Sequence, residues 1–297
     1  MPKRLKCYRM VALDLDRTLL ASDGSLSDIQ ADYLRALSEK GFLVCLATGR
    51  SATGTYAYAA KLQIPRLPIV CSNGSSGFFW SKGTANHDPV MEQQFHFTVP
   101  KDIVQRVLYL ANKHDFCVQY YYKEFVYANQ KSKIHYHCTK KYTAMTGVRI
   151  QHMDDDDYER MLEQNQLPSK LLLLFDSRDN LKARKAVHEE FDTSEAHIVK
   201  GKSTWFLQIL DASSNKGIGL EHMCKSLNVP LDRVIAIGDA FNDIEFLQMA
   251  GLGVAVKNAD PEVKKIADVT LDFTNDEHGP MRILQELDRK GELVFQE

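Results

Sequence analysis

Short apolar strands alternate with helices at both ends of this chain, and that alternation restricts its fold more than any other feature. Met10–Leu15 reads as a strand that ends in a polar loop. Ser27-Asp28 supplies N-cap chemistry for a helix running to Lys40, with Gly41 where a C′ glycine belongs. Phe42–Ala47 is a fully apolar strand, followed by Thr48-Gly49-Arg50, a helix from about Ser51 to Leu62, and a third strand at Pro68–Ser72. Toward the other end, Arg233–Ile237 and Leu252–Val256 read as strands around a helix at Ile244–Ala250, and Asp260-Pro261 opens a further helix. Continuous apolar strands joined by helices predict a parallel sheet covered on both faces.

The middle differs. From about Phe97 to Leu210 the chain is rich in Tyr, His and Lys, with period-2 patches at Cys117–Tyr122 and Trp205–Ile209. These alternate with helical stretches at Lys101–His114, Asp155–Gln164 and Asn180–Phe191. The pattern predicts an α/β, Rossmann-like doubly wound core formed by residues 1–87 and 212–297, with an α+β domain inserted over 88–211. The joins are expected near His87-Asp88-Pro89 and Asp211-Ala212-Ser213.

Composition removes several function classes. In 297 residues, 37 Lys and Arg against 39 Asp and Glu leave a formal charge of −2, which provides no bulk attraction to nucleic acid or an anionic membrane. The longest unbroken apolar run is the six residues Phe42–Ala47, too short to span a bilayer. No apolar stretch follows the basic start Met1-Pro2-Lys3-Arg4-Leu5-Lys6, so a signal peptide is not expected. Six cysteines are scattered without a C-x-x-C pair, consistent with reduced thiols in the cytoplasm.

The residues able to carry chemistry stand at the carboxyl ends of the predicted core strands, where open α/β sheets bind ligands. Asp14-Leu15-Asp16-Arg17-Thr18 places two carboxylates at i and i+2, so both can approach one cation while one is free to attack phosphorus. An Asp pair capping a turn looks the same in isolation. Thr48 ends the second strand with its hydroxyl and the following amides at the same edge. Lys216 offers an ammonium for a phosphate, and Gly238-Asp239-Ala240-Phe241-Asn242-Asp243 adds two carboxylates at a fourth strand end. Hard carboxylates with a Lys and a Thr suit Mg²⁺ and phosphate, whereas zinc favours His and Cys.

In order and spacing, Asp14-x-Asp16-x-Thr18, Ala-Thr48-Gly-Arg50, Lys216-Gly217 and Gly238-Asp239-x-x-Asn242-Asp243 resemble the motifs of the haloacid dehalogenase (HAD) superfamily. The long insertion, Ser72-Asn73-Gly74, and Asn275-Asp276-Glu277-x-Gly279 are similar to its Cof-type phosphatases, which carry a large α/β cap. The resemblance implies that Asp14 is the nucleophile, forming an aspartyl-phosphate, and that Asp16 is the general acid/base. It implies phosphate contacts from Thr48, Gly49, Arg50, Asn73, Lys216 and Asn242, with Thr48 and Lys216 counted among the catalytic groups. Mg²⁺ would be held by Asp14, the backbone carbonyl of Asp16 and Asp239, with Asp243 acting through water or from behind. The implied substrate is a small phosphorylated metabolite, a sugar phosphate or phosphorylated vitamer, bound by a monomer or homodimer with no nucleic-acid or membrane partner. A phosphomutase of phosphomannomutase type and a catalytically silent binding protein on the same fold are the alternatives. Arg17 and His278 depart from the family pattern, which usually has Gly and an acidic residue there.

Other clusters have plainer readings. His135-Tyr136-His137-Cys138 imitates a metal site but reads as one face of a cap element. Asp154–Asp157 reads as a solvated helix start, Tyr120–Tyr122 with Phe125–Tyr127 as a hairpin, and Lys131, Lys133, Lys140 and Lys141 as a solvated face.

Overall fold

The computed structural model describes residues 7–83, 89–199 and 204–295. It divides into two compact units, one formed by Met1–Gly49, Thr55–Phe95 and Asn215–Glu297, the other by Arg50–Gly54 and His96–Ser214. The His87-Asp88 end of the first expected join and the basic start at 1–6 lie outside the described residues. In chain order the strands are β1 Met10–Leu13, β2 Leu43–Ala47, β3 Arg66–Cys71, β4 Ser76–Ser81, β5 Val90–His96, β6 Cys117–Tyr122 and β7 Phe125–Ala128. They continue with β8 Ile150–His152, β9 Lys170–Leu174, β10 Ala196–Ile198, β11 Phe206–Asp211, β12 Val234–Gly238, β13 Leu252–Ala255 and β14 Val269–Thr270.

The first unit holds the sheet β14-β13-β12-β1-β2-β3-β4-β5. From β14 to β3 every pairing is parallel, and β4 then runs antiparallel to β3. β1 lies in the middle, Met10–Leu13 pairing with Leu43–Leu46 on one side and Val234–Ile237 on the other. All its residues are buried, as a parallel strand covered on both faces must be. The carboxyl ends of β1, β2 and β12 therefore open along one sheet edge, where Asp14, Thr48 and Asp239 follow. Local signals hold where the side chain makes them: the Ser27 side chain accepts from the Gln30 amide to cap helix Asp28–Glu39, and Gly41 takes φ 89°. The helix after β2 begins at Tyr56 rather than Ser51, because Arg50–Gly54 packs with the second unit and Thr53–Thr55 forms only a tight 3₁₀ turn. Residues 90–96, expected in the insertion, form the edge strand of this sheet.

The second unit is α+β. Its sheet runs β10-β11-β9-β6-β7-β8, antiparallel except for the β7–β8 pair. Alternate residues serve opposite faces, as a period of two demands. Val118, Tyr120, Leu171, Leu173, Leu207 and Ile209 join a core with helices Lys101–His114, Asp155–Glu163 and Asn180–Glu190. Cys117, Tyr121, Leu172 and Leu174 face Cys138 and Tyr142 of helix Lys133–Thr146.

Candidate active site

The loop after β1 is wide rather than helical. Leu19 and Leu20 donate to the carbonyls of Asp14 and Leu15, five residues back, while Asp16 is extended and Arg17 takes φ 63°. This path buries Asp14 and Thr18 and leaves Asp16 and Arg17 exposed. The two carboxylates, two positions apart, thus enter different environments.

Lys216 starts helix Lys216–Leu227, whose N-cap Asn215 accepts from the Ile218 amide. Its ammonium donates to Asp14 Oδ1 at 2.5 Å and to Asp243 Oδ1 at 2.7 Å, and its side chain is 1% exposed. Close backbone approach seats this helix. A Cβ on Gly74, which has φ 95°, would lie 1.9 Å from the Asn215 carbonyl oxygen, and one on Gly219 would lie 2.6 Å from Gly74 Cα. After β12, Asp243 Oδ2 accepts from the amides of Asp239 (3.0 Å) and Ala240 (2.9 Å). Both Asp243 oxygens are therefore engaged, and the residue fixes Lys216 and the Asp239 turn together. Thr18 Oγ1 donates to Asp239 Oδ1 at 3.2 Å.

A neutral wall adjoins these charges. Asn73 donates its amide to the Thr48 carbonyl, and its side-chain Oδ1 accepts from Asn242 Nδ2 at 2.8 Å. A Cβ on Gly49 would stand 2.9 Å from Asn73 Oδ1, so a glycine is what admits that side chain. Thr48 is fully buried, with its amide bonded to the Val70 carbonyl.

Burial pushes the Asp14 carboxyl well above the usual range; Lys216 opposes that, and the charges of Asp243 and Asp239 add to it. Burial, then Asp243, pushes Asp239 up to about 6 against the pull of Arg17 and Lys216. The Lys216 ammonium is drawn down by burial, but Asp14 and Asp243 outweigh that and leave its pKa raised. Carboxylate oxygens of Asp14, Asp239 and Asp243 lie within 4.8 Å of one another, and buried Asp239 Oδ2 accepts no hydrogen bond among the described residues. An all-oxygen donor set with an unsatisfied buried oxygen fits a hard divalent cation such as Mg²⁺. The Asp16 side chain is not in this group, and Lys216 and Arg17 both bring countercharge to the cluster.

Arg50 falls in the second unit. Asn275 donates to the Leu20 carbonyl and Asp276 accepts from the Ser22 amide and hydroxyl, so this motif ties down the chain beyond the loop. In the second unit, His135 is buried with Nε2 on Asp115, and His137 is exposed on the same helix. Asp154 and Asp157 form a reciprocal capping box, and Cys45, Cys117, Cys138 and Cys224 are buried thiols. Sequence reading had no signal for the Thr18–Asp239 bond or the Arg17 contact, because each joins residues more than 220 positions apart.

A family model described as haloacid dehalogenase-like hydrolase matches residues 11–284. A Bacillus subtilis protein, 5-amino-6-(5-phospho-D-ribitylamino)uracil phosphatase YitU, is 27% identical over 93% of this chain and 96% of its own length. An HMP-PP phosphatase of Serratia proteamaculans is 26% identical over 87% of each. The solved structure of a putative HAD/COF-like hydrolase from Plasmodium vivax superposes with a TM-score of 0.80 at 18% identity, covering 97% of this chain and 98% of that one, a likeness of fold.

Proposed function

The chain belongs to the haloacid dehalogenase-like hydrolase family, and from its geometry we propose that it is a Mg²⁺-dependent phosphatase of a small phosphorylated metabolite, working through an aspartyl-phosphate on Asp14. The observation that carries this reading is the Lys216 ammonium held between Asp14 and Asp243 beside the Asp239 carboxylate. Curated relatives named as phosphatases of a ribitylaminouracil phosphate and of HMP-PP support the same class, a sugar phosphate or phosphorylated vitamer.

Asp14 attacks phosphorus, so an oxygen–phosphorus bond forms as the ester bond to the leaving group breaks. Asp16, exposed at the mouth of the loop, gives that leaving oxygen its proton. It then takes a proton from the water that cleaves the phosphoenzyme and restores Asp14. Lys216 keeps Asp14 oriented and adds positive charge beside the phosphoryl oxygens, while Thr48, Gly49, Asn73 and Asn242 line the phosphoryl pocket. Asp14, Asp239 and the Asp16 carbonyl would hold Mg²⁺, with Asp243 supporting from behind. When bound, the ion offsets the repulsion between a carboxylate and a phosphate dianion. On this reading the second unit is a cap that reads the substrate, and six cysteines scattered without a C-x-x-C pair fit a cytoplasmic protein.

The test is mass spectrometry of an acid-quenched reaction with Mg²⁺ and a phosphorylated-metabolite panel. A phosphoryl adduct on Asp14 is expected; an adduct elsewhere, or full turnover in EDTA, overturns the reading.

A further inference from the structure

Arg17 holds a left-handed backbone, φ 63° and ψ 10°, which a glycine adopts without steric cost and a residue with a Cβ does not. A non-glycine residue persists in such a conformation when its surroundings over-determine it, and here they do. Arg17 Nη2 donates to the Asn258 carbonyl at 3.1 Å, and Asn258 Nδ2 donates back to the Arg17 carbonyl at 2.7 Å. Asn258 is itself held, its Oδ1 accepting from the Asn275 amide at 2.9 Å. This bracket carries the guanidinium to Asp239, with Nη1 at 3.5 Å from Oδ2. That buried oxygen accepts no hydrogen bond among the described residues, and the Arg17 side chain remains 49% exposed.

We propose that Arg17 is a built-in counter-cation for Asp239: it positions the carboxylate in the metal-free protein and competes with a divalent ion for it, keeping the ion loosely bound and exchangeable. The inference rests on the metal site of the proposed function. Two positive charges meeting at one carboxylate repel each other. Asn258 keeps the guanidinium there instead of letting it swing into solvent, so an arriving ion must displace it or bind beside it. A glycine at the same position would leave Asp239 Oδ2 to the ion alone and would relieve the backbone.

Calorimetric titration of Mg²⁺ into the full chain, at fixed pH and ionic strength, tests this on wild type, Arg17→Gly, Arg17→Gln and Asp239→Asn. Asp239→Asn should lose the binding isotherm. Both Arg17 variants should bind Mg²⁺ about tenfold more tightly than wild type, the size expected for removing one half-screened charge near a divalent ion. If wild type shows no Mg²⁺ binding that depends on Asp239, the metal site itself fails and this inference with it. If binding depends on Asp239 but is unchanged or weaker in either Arg17 variant, the inference alone is overturned. Tightening in Arg17→Gly only would assign the effect to the backbone and overturn it as well.

Discussion

The two units arrange their buried polar groups differently. In the first, Asp14, Asp239, Asp243 and Lys216 are all nearly inaccessible and gathered at the end of one sheet. In the second, the sheet carries apolar layers on both faces, and under helix Lys133–Thr146 runs a short chain of neutral groups with one buried cation, Lys170, 4.3 Å from the centre of the Tyr121 ring. There Tyr121 donates to Gln119 Oε1, and its oxygen lies 2.9 Å from the Tyr142 hydroxyl. Gln119 Nε2 has no partner among the described residues, so this chain carries a cost of its own, but buried carboxylates that raise one another's pKa oppose folding by mutual repulsion as well as by burial. A protein retains such charges where chemistry uses them. The contrast is between like charges gathered at one sheet end and polar groups spread singly through a packed interior.

The strongest way to break that division is Asp14→Asn. Turnover should fall by roughly 10⁴-fold or more while circular dichroism stays native, because a nucleophile is lost and a buried like-charge contact is relieved. Retained turnover, measured as phosphate release, would place the chemistry elsewhere. Asp16→Asn should cost about 10²–10⁴-fold with poor leaving groups and less with an aryl phosphate, whose leaving oxygen needs little protonation. An equal loss with both would remove Asp16 from proton transfer. The same assay, run with a sugar phosphate, separates release to water from return of the phosphoryl group to another hydroxyl, the outcome that would mark a mutase.

Leu172→Ala probes the other side of the comparison. It empties a fully buried site on β9 and should destabilise by about 2–5 kcal/mol, read by denaturant unfolding. Mg²⁺ affinity should be unchanged; a parallel loss would mean that the two units do not divide their labour as drawn here.

The smallest effect concerns pH. Asp239 in the metal-free protein is held up to about 6, chiefly by burial and then by Asp243. Protons and Mg²⁺ compete for it, so affinity should be level above about pH 7 and fall about tenfold per unit below about 6. The same shift has a stability sign. The folded chain keeps this proton where the unfolded chain has released it, so the group's contribution falls as pH rises from 3.8 toward 6. Calorimetric Mg²⁺ titrations across that range would sharpen the point, and a flat affinity would refute it.

The difference between the units also explains what could be read from the chain. Core strands such as Leu43–Ala47 and Val234–Gly238 are apolar throughout, and parallel burial demands that, so their pattern is unambiguous. Asp14, Lys216, Asp239 and Asp243 were legible as a group because each sits within a few residues of such a strand or at a helix start, and the structure brings their polar atoms together. The second unit was harder. Its central strand β9 is Lys170 followed by four leucines, helix formers without a period of two, so nothing local marks it as a strand. Helix Lys133–Thr146 is rich in His, Tyr, Thr and Lys, a composition that carries no strong helical period. Tertiary packing decides both, and packing between distant segments leaves no local trace. The same reason hid the Asn258 bracket around Arg17, whose partners are 241 positions apart.

The central place of β1 has a consequence for synthesis on the ribosome. One flank of Met10–Leu13 is covered by Leu43–Leu46, about thirty residues later, but the other waits for Val234–Ile237. At translation rates of about 5–20 residues per second, that second edge stays bare for roughly 10–45 seconds. During this interval the nascent chain exposes a four-residue apolar strand with unpaired amides, open to pairing with any other extended segment. Neither Lys216 nor Asp239 has yet been made for most of that time, so a truncated product carries Asp14 without its charge partners. Interrupted synthesis would therefore yield chains that are sticky and inert, never partly active ones.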